Sequence, residues 1–534
     1  MQSKRLNQAS VDDARTQAML AALARPDAYP HAAPTVARVD THISWVFLAG
    51  EFAYKLKKPV NFGFLDFSTL ERRHVLCQEE LRLNRRFSPE LYLEVVPVTC
   101  REGRYAFGGD GEIVEYAVKM RRFADDARLD RVARRGGLTH ALLDAMCDQI
   151  AAAHRAAASA TADSEYGLPR GIHHWFTENF DHIRPRLSQA ADRMAVERIA
   201  RWGETAFERL RATLDARRRD GFVRECHGDL HLGNLVEVGD RVRLFDCIEF
   251  NPELRWIDVM SDVAFLYMDL LDQGLQGAAR RFLNRYLQAT GDYAGLVVMP
   301  YYFVYRALVR AKVAVLRLSR EGDTAGDASA RDECRSYLAL AERLINRARG
   351  QLMITHGLSG SGKSTLAAQL VERTGAVQIR SDVERKRLFG FDALAVTGSV
   401  VDAGLYGPDA GRRTYERLAE AARAALAGGF SAIVDATFLA GAQREAFAAL
   451  AAAADTDFLI LDFKAPESEL RARVGARLRA GGDASEADQA VLEAQLRRAE
   501  PLTGAERASC VAFDTTDAAA VERGCRNVEE RLAS

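Results

Sequence analysis

Between Leu352 and Thr374 an apolar run, Leu352–His356, leads into Gly357-Leu358-Ser359-Gly360-Ser361-Gly362-Lys363-Ser364 and on into a helical pattern over Thr365–Thr374. No other stretch restricts the fold so tightly. A G-x₄-G-K-S string in the order strand, glycine loop, helix belongs to a parallel α/β sheet. The glycines let successive backbone N–H groups turn inward around phosphate oxygens at a helix N-terminus. Lys363 would then neutralise phosphate charge and the Ser364 hydroxyl would ligate Mg²⁺. Gly357, Ser359, Gly360, Ser361, Gly362, Lys363, Ser364 and Thr365 are therefore the candidate nucleotide-holding residues. Downstream, Ala432-Ile433-Val434-Asp435 reads as a strand ending in an acid, a second candidate for the metal's surroundings.

A second constellation lies upstream in His227–Asp246, HGDLHLGNLVEVGDRVRLFD. Phosphoryl transfer needs an acceptor for the substrate hydroxyl's proton and oxygen ligands for Mg²⁺. Asp229 suits the first task, Asn234 and Asp246 the second. The spacing predicts a loop, a strand over Leu235–Val238, a turn at Gly239–Asp240 and a strand over Arg241–Phe245. That hairpin would return Asp246 to Asn234. Outside such a site, Asp and Asn in a loop often only close a turn.

Composition narrows the classes. At 534 residues the chain has length for two to four domains. Hydrophobic content of 48% beside 28% charged residues describes a globular protein and not a disordered one. A net charge of −1 offers nothing to nucleic acid or an anionic membrane. The eight cysteines form no C-x-x-C pair, which suits thiols in a reducing cytoplasm. The N-terminal segment has no apolar core of an export signal. Gly295–Leu318, the most apolar segment, is broken by Arg306, Arg310 and Lys312, so a core helix is expected there and not a membrane span. Only nine of the 73 basic residues are lysines, which makes each lysine informative.

Three of the nine fall in Phe52–Lys58, the third of three short strands after Val36–Asp40 and Trp45–Ala49. Lys55 and Lys57 alternate with Tyr54 and Leu56 and share a face. They either face a cleft or form a solvated strand face. Residues 1–30 read as a polar helix and a turn. Leu70–Arg86 reads as a helix with Thr69 as its cap, carrying Glu79 and Glu80. Glu112–Met120 alternates as a strand, and Arg121–Leu129 reads as a hinge. Helical periodicity runs from Thr139 through His154, Trp175–Ile183 and Met194–Arg218. Arg255–Leu271 reads as an apolar helix with Asp258 and Asp262, Glu321–Arg331 as a loop, and Cys334–Arg349 as a helix. Only Gly350 then separates it from the next strand, a joint so short that the halves should pack together.

The H-x-D-x₄-N array with its second acid resembles the catalytic segment of the aminoglycoside phosphotransferase family, a branch of the protein-kinase-like fold. The resemblance implies that Ala53-Tyr54-Lys55 matches that family's A-x-K pattern, with Lys55 on the α- and β-phosphates. It also implies a helix glutamate paired with that lysine. Glu79 and Glu80 both qualify, and Glu80 is preferred. It further implies that Asp258 and Asp262 brace the catalytic loop. The chain departs from the kinase pattern between its first two strands. Asp40-Thr41-His42-Ile43-Ser44 stands where a glycine-rich loop would be.

In the later half, Gln378-Ile379-Arg380-Ser381-Asp382 reads as a strand ending in an acid, with Arg385 three residues on. This Asp-x-x-Arg resembles small P-loop kinases of the polynucleotide-kinase, zeta-toxin and gluconate-kinase type. The resemblance gives Asp382 the acceptor's proton and Arg385 an anionic acceptor. A helix-capping Asp with a surface Arg is the plainer alternative. Arg471, Arg473, Arg477 and Arg479 lie on a helix leading to Gly481–Gly482. Arg473 and Arg477 share a face and are the candidates to close over the phosphates, unless the four simply form a solvated face. Residues 351–534 carry 22 basic and 26 acidic side chains, which favours a small acceptor over a polynucleotide.

The expected architecture is an α+β protein-kinase-like two-lobe domain (1–123 and 124–349) followed by an α/β P-loop domain with a parallel sheet (350–534). The tandem resembles bacterial proteins described as bifunctional aminoglycoside phosphotransferase/ATP-binding proteins. The resemblance implies an ATP- and Mg²⁺-dependent phosphotransferase acting on small-molecule hydroxyl acceptors, and a cytoplasmic location is the expectation from the lack of an export signal or membrane span. Two alternatives stay open: a single kinase regulated by a nucleotide-sensing P-loop domain, or a P-loop half acting as a nucleic-acid end kinase.

Overall fold

The computed structural model describes residues 14–63, 65–187, 189–318, 325–395, 397 and 407–533. The chain forms two compact units, residues 1–167 with 221–262, and residues 168–220 with 263–534.

The first unit is organised on a six-stranded antiparallel sheet, in the order β1-β2-β3-β6-β4-β5. Its strands are β1 (Val36–Asp40), β2 (Ser44–Ala49), β3 (Phe52–Lys57), β4 (Tyr92–Arg101), β5 (Arg104–Phe107) and β6 (Glu112–Arg121). Alternation along β3 decides which residues face which side. Tyr54 and Leu56 join Phe47, Val98 and Ala117 in a core closed by Met19, Leu20 and Leu23 of helix α1 (14–23). Ala53 points the other way, into a core with Cys77 and Leu81 of α2 (Leu70–Asn84). Thr69 caps α2 as expected, its side chain accepting the Arg72 N–H at 3.3 Å. The unit continues with α3 (Leu129–Arg134) and α4 (His140–Ala156). Next come β7 (Val223–Glu225), the hairpin β8 (Leu235–Val238) and β9 (Arg241–Leu244), and β10 (Trp256–Asp258), which pairs with β7.

The second unit holds helices α5 (Pro169–Ile183), α6 (Ala190–Arg219), α7 (Val259–Asp272, from Val263), α8 (Gln276–Thr290), α9 (Met299–Leu316) and α10 (Ala325–Ile345). A parallel five-stranded sheet follows, of β11 (Leu352–His356), β12 (Val377–Arg380), β13 (Ala432–Asp435), β14 (Phe458–Lys464) and β15 (Cys510–Asp514). Its order is β12-β13-β11-β14-β15. From β11 the chain crosses to edge strand β12, and from the neighbouring β13 it crosses the other way to β14. The connections thus reverse at the β13–β11 pair, and the crevice at such a reversal is where open α/β sheets take ligands. α11 (Lys363–Thr374) and α18 (Ala518–Ala533) pack on one face around Met353, Leu461 and Phe513. Between them in sequence run α12 (Ser381–Leu388), α13 (Pro408–Ala427), α14 (Gly441–Ala453), α15 (Glu467–Ala480), α16 (Gln489–Arg498) and α17 (Gly504–Ala508).

Several expectations are corrected. β4 and β5 were not anticipated: Pro97 interrupts the β4 pattern, and the ladder shifts register beside it at Val98/Thr99. Asp258 is not helical. Trp256 and Ile257 pair with β7, and the Asp258 carboxylate accepts the Met260 N–H at 2.9 Å before α7 proceeds. The region expected as a loop over Glu321–Arg331 is helical from Ala325, where alanines favour a helix. Residues 321–324 lie outside the described residues. α10 stops at Ile345, short of Arg349, and Arg347 instead turns its guanidinium to the Gly428 carbonyl. β12 ends at Arg380, so Asp382 sits in the first turn of α12 and not at a strand end.

Candidate active sites

In the first unit, β3 presents Lys55 and Lys57 to the same side, and both reach Glu80 of α2. Lys55 Nζ lies 2.8 Å from Glu80 Oε1 and Lys57 Nζ lies 2.7 Å from Oε2. Lys55 also pairs with Asp246, and Lys57 with Glu249. The result is a chain of alternating charge, Asp246–Lys55–Glu80–Lys57–Glu249. All its members but Asp246 are nearly or fully buried, so these lysines are not a solvated strand face. Burial alone would raise the Glu80 carboxyl, but the two ammonium groups override it and hold it well below the usual carboxylate range. Lys55 behaves likewise: burial opposes its charge, yet Asp246 and Glu80 lift it well above the usual lysine range. Burial pushes Glu249 up. Glu79, the other glutamate considered, turns to Arg82 and Arg255 instead.

The loop that carries Asp229 is braced by Asp262. Its two carboxylate oxygens accept the His227 N–H at 2.8 Å and the Gly228 N–H at 2.9 Å. Gly228 has φ +85°, and a Cβ there would meet the Leu254 carbonyl at 2.7 Å, so only glycine fits. His227 is buried and its basicity falls as a result. Its Nε2 faces the Phe245 carbonyl at 2.8 Å and its Nδ1 faces the Asp229 N–H at 3.3 Å. Only the neutral Nε2–H tautomer satisfies both. Asn234 Nδ2 donates to the Asp229 carboxylate and to its carbonyl, each at 3.0 Å. The hairpin brings the Phe245 N–H to the Asn234 carbonyl at 3.1 Å, delivering Asp246 beside Lys55. Asp246 has φ +62°, a left-handed conformation held by a bond from its N–H to the Tyr92 hydroxyl at 2.9 Å. Glu249 and Tyr92 carry no signal in the sequence, and Lys57, though placed on the same face as Lys55, is not distinguished there as a partner of Glu80. The alternation of Lys55 and Lys57 was the one available signal for Lys57.

In the second unit, Gly357, Gly360 and Gly362 all have positive φ, from +84° to +144°. A Cβ on Gly360 would lie 2.7 Å from the Leu470 carbonyl. A cavity of about 280 Å³ opens above the loop. Ser359, Gly360, Gly362, Lys363, Ser364, Thr365, Asp382, Arg385, Asp435, Arg473 and Arg477 line it together, but Gly357 and Ser361 do not. Lys363 Nζ donates to the Leu358 carbonyl at 2.8 Å. Burial lowers it to about 8, against the opposing pull of Asp435 and Asp382. Burial raises Asp435, which accepts a bond from Gln378 Nε2 at 2.9 Å. Asp382 is held below the usual carboxylate range despite burial, with Arg385 Nη1 at 3.2 Å from its Oδ1. Asp382 lies in the first turn of α12, one turn from Arg385 with which it pairs, and the N-cap position itself is Arg380.

Of the four helix arginines, Arg473 reaches Thr515 Oγ1 at 2.9 Å, and Arg477 reaches the Ala487 carbonyl at 2.8 Å. Arg471 pairs with surface glutamates, and Arg479 is exposed. Arg380, Gln378, Tyr415 and Asp483 went unnoticed in the sequence, although Arg380, Tyr415 and Asp483 line the cavity.

Comparison with known proteins agrees with the two halves. The family described as "Phosphotransferase enzyme family" matches residues 67–297, and one described as "AAA domain" matches residues 352–502. The chain is thus a kinase-type phosphotransferase enzyme, with a kinase-like domain followed by a P-loop domain. More narrowly, it belongs to the family of the uncharacterized protein Rv2004c of Mycobacterium tuberculosis. The two are 31% identical over 467 residues, 87% of this chain and 90% of that protein. The uncharacterized protein Mb2027c of Mycobacterium bovis matches to the same extent. Among solved structures, the amicoumacin kinase hAmiN bound to AMP-PNP, Ca²⁺ and Ami is 12% identical with a TM-score of 0.40, covering 62% of this chain and 96% of that one. A gluconokinase from Sinorhizobium meliloti is 21% identical with a TM-score of 0.25, covering 35% and 98%. Both families use ATP, typically with Mg²⁺. Among the described residues no helix is long and apolar enough to cross a membrane.

Proposed function

We propose that the protein carries two Mg·ATP sites, one in each half, and that each transfers the γ-phosphate to a hydroxyl of a small-molecule acceptor. The functional division runs 1–123 and 124–349 for the kinase-like half and 350–534 for the P-loop half. One observation supports the reading: in the first half Lys55 pairs with Asp246 and Asn234 holds Asp229, and in the second Lys363, Asp435 and Asp382 line one cavity.

In the first half Lys55, oriented by Glu80, takes the phosphates. Asn234 and Asp246 ligate Mg²⁺, and Asp229 accepts the proton of the attacking hydroxyl. In the second half the glycine-loop N–H groups, Lys363, Thr365 and Arg473 hold the phosphates. Ser364 and Asp435 serve the metal, Asp382 is the base, and Arg385 with Arg477 steadies the acceptor and the moving phosphoryl group. Mg²⁺ held by these residues would neutralise phosphate charge. The slight acidity of residues 351–534 supports small acceptors over polynucleotides.

The test is acceptor-stimulated ADP release across a library of hydroxyl metabolites. Asp229→Ala and Asp382→Ala should each abolish a different acceptor-dependent activity. If neither changes turnover, the two-site reading fails.

A further inference from the structure

We propose that Gln378 is a positioning residue for the metal-side acid of the second site, and that helix α8 holds it in register. The proposal rests on the reading of Asp435 and Ser364 as that site's metal-binding residues.

Gln378 lies on β12, an edge strand of the parallel sheet, and is 2% exposed. Its side chain reaches toward the site. Nε2 donates to Asp435 Oδ2 at 2.9 Å and to the Ser364 carbonyl at 3.2 Å. Those two acceptors fix which end of the amide is nitrogen. The other end faces away, where Gln378 Oε1 accepts from Gln288 Nε2 of α8 at 3.3 Å. The Gln378 backbone N–H lies on the unpaired edge of the sheet, and Asn284 Oδ1 of the same helix accepts it at 2.8 Å. A buried donor there would otherwise be left without a partner. One residue therefore ties α8 to the Asp435 carboxylate and to the backbone of Ser364.

α8 is anchored on either side of this contact. Arg280 Nη1 donates to the Glu372 carbonyl at 3.0 Å and the Arg373 carbonyl at 2.6 Å, closing the C-terminal end of the helix that follows the glycine loop. Past the other end of α8, the Gly291 carbonyl accepts from Arg417 at 2.8 Å. Arg417 in turn pairs with fully buried Glu384 of α12, the helix carrying Asp382. A helix that precedes the P-loop domain in the chain thus completes its hydrogen bonding. Asp435 is 4% exposed, and its ionised form needs donors to persist away from water. Gln378 supplies one without adding charge, so it aims the acid without competing with the cation.

The test uses the full chain carrying Asp246→Asn, which disables metal binding in the first half, with Mn²⁺ and ADP as probes and bound Mn²⁺ counted by EPR. Gln378→Leu should raise the Mn²⁺ midpoint about tenfold, the worth of one charge-assisted hydrogen bond. Gln288→Leu, on α8 and remote from the nucleotide, should raise it roughly two- to threefold by loosening the same amide. ADP affinity at saturating Mn²⁺ should stay within about twofold in both variants. A purely structural role would lower the melting temperature and leave the metal midpoint in place, and that result overturns the proposal. If the Asp246→Asn chain binds no Mn·ADP, or binds one that Lys363→Ala does not remove, the two-site reading itself falls instead.

Discussion

Replacing Lys57 with methionine tests whether the alternating charges of the first site act as a unit. The ammonium is 1% exposed, 2.7 Å from Glu80 Oε2, with Glu249 as its second partner. Methionine keeps most of the volume and removes the charge. Glu80 and Glu249, 0% and 5% exposed, then share the neighbourhood of Lys55 alone. Removing one partner of a buried pair costs about 3–5 kcal/mol, because the remaining charge is left uncompensated. The strain is relieved by protonating one carboxyl, and burial already pushes Glu249 upward. An acid whose folded pKa exceeds its unfolded value destabilises the fold above that pKa and recovers as pH falls. The penalty of Lys57→Met should therefore be larger at pH 8 than at pH 5.5. Native-state hydrogen exchange of the β2 and β3 amides reads the local opening free energy directly. Glu249→Gln added to Lys57→Met should restore about 2 kcal/mol or more, the size expected for coupled neighbours. A loss below about 1 kcal/mol in the single variant, or no recovery in the double, would refute the charge-chain argument.

Three further outcomes are expected. Lys363 titrates near 8 in the ligand-free fold against 10.5 for an ordinary lysine, so the ligand-free domain gains stability as pH rises across that window. Nucleotide phosphates restore its charge, so binding at pH 9 should take up close to one proton and binding at pH 6.5 almost none. Calorimetry in buffers of different ionisation heat measures this, and equal uptake in Lys363→Met would contradict it. Asp262→Asn leaves one of the His227 and Gly228 N–H groups without its acceptor and should lower first-site kcat roughly tenfold or more. Unchanged kcat would show that the loop holds its shape without the brace. Gly360→Ala puts a Cβ against the Leu470 carbonyl at φ +84°, so the Mg·ATP stoichiometry of the folded protein should fall by one. A titration that still finds the wild-type stoichiometry would disprove the need for glycine there.

What could be read from the sequence was whatever the chain keeps close to itself. The glycine loop with Lys363 and Ser364, and the array Asp229–Asn234–Asp246, are set by short spacings, so a strand or hairpin suffices to bring their members together. The Lys55–Glu80 pair was expected only because the resemblance implies a helix glutamate for the strand lysine, with alternation on β3 and the capped helix α2 locating the two partners. Glu249 and Gln378 gave no such signal. Glu249 acquires its meaning from a lysine 192 residues earlier, and Gln378 from Gln288, 90 residues earlier. Neither separation leaves a periodic trace. Asp258 was misjudged because an apolar run with helical spacing also fits a short strand feeding a helix, and pairing with β7 decided between them. The groups that sequence reveals are thus those expected to touch phosphate and metal. Those it conceals hold the first kind in place, and they come from chain-distant elements because a rigid site has to be braced from several directions. This is why Gln378 is the sharper probe of the second half. Changing Lys363 would only repeat what the motif already says, whereas moving Gln378 asks whether a helix from before the P-loop domain is part of its machinery.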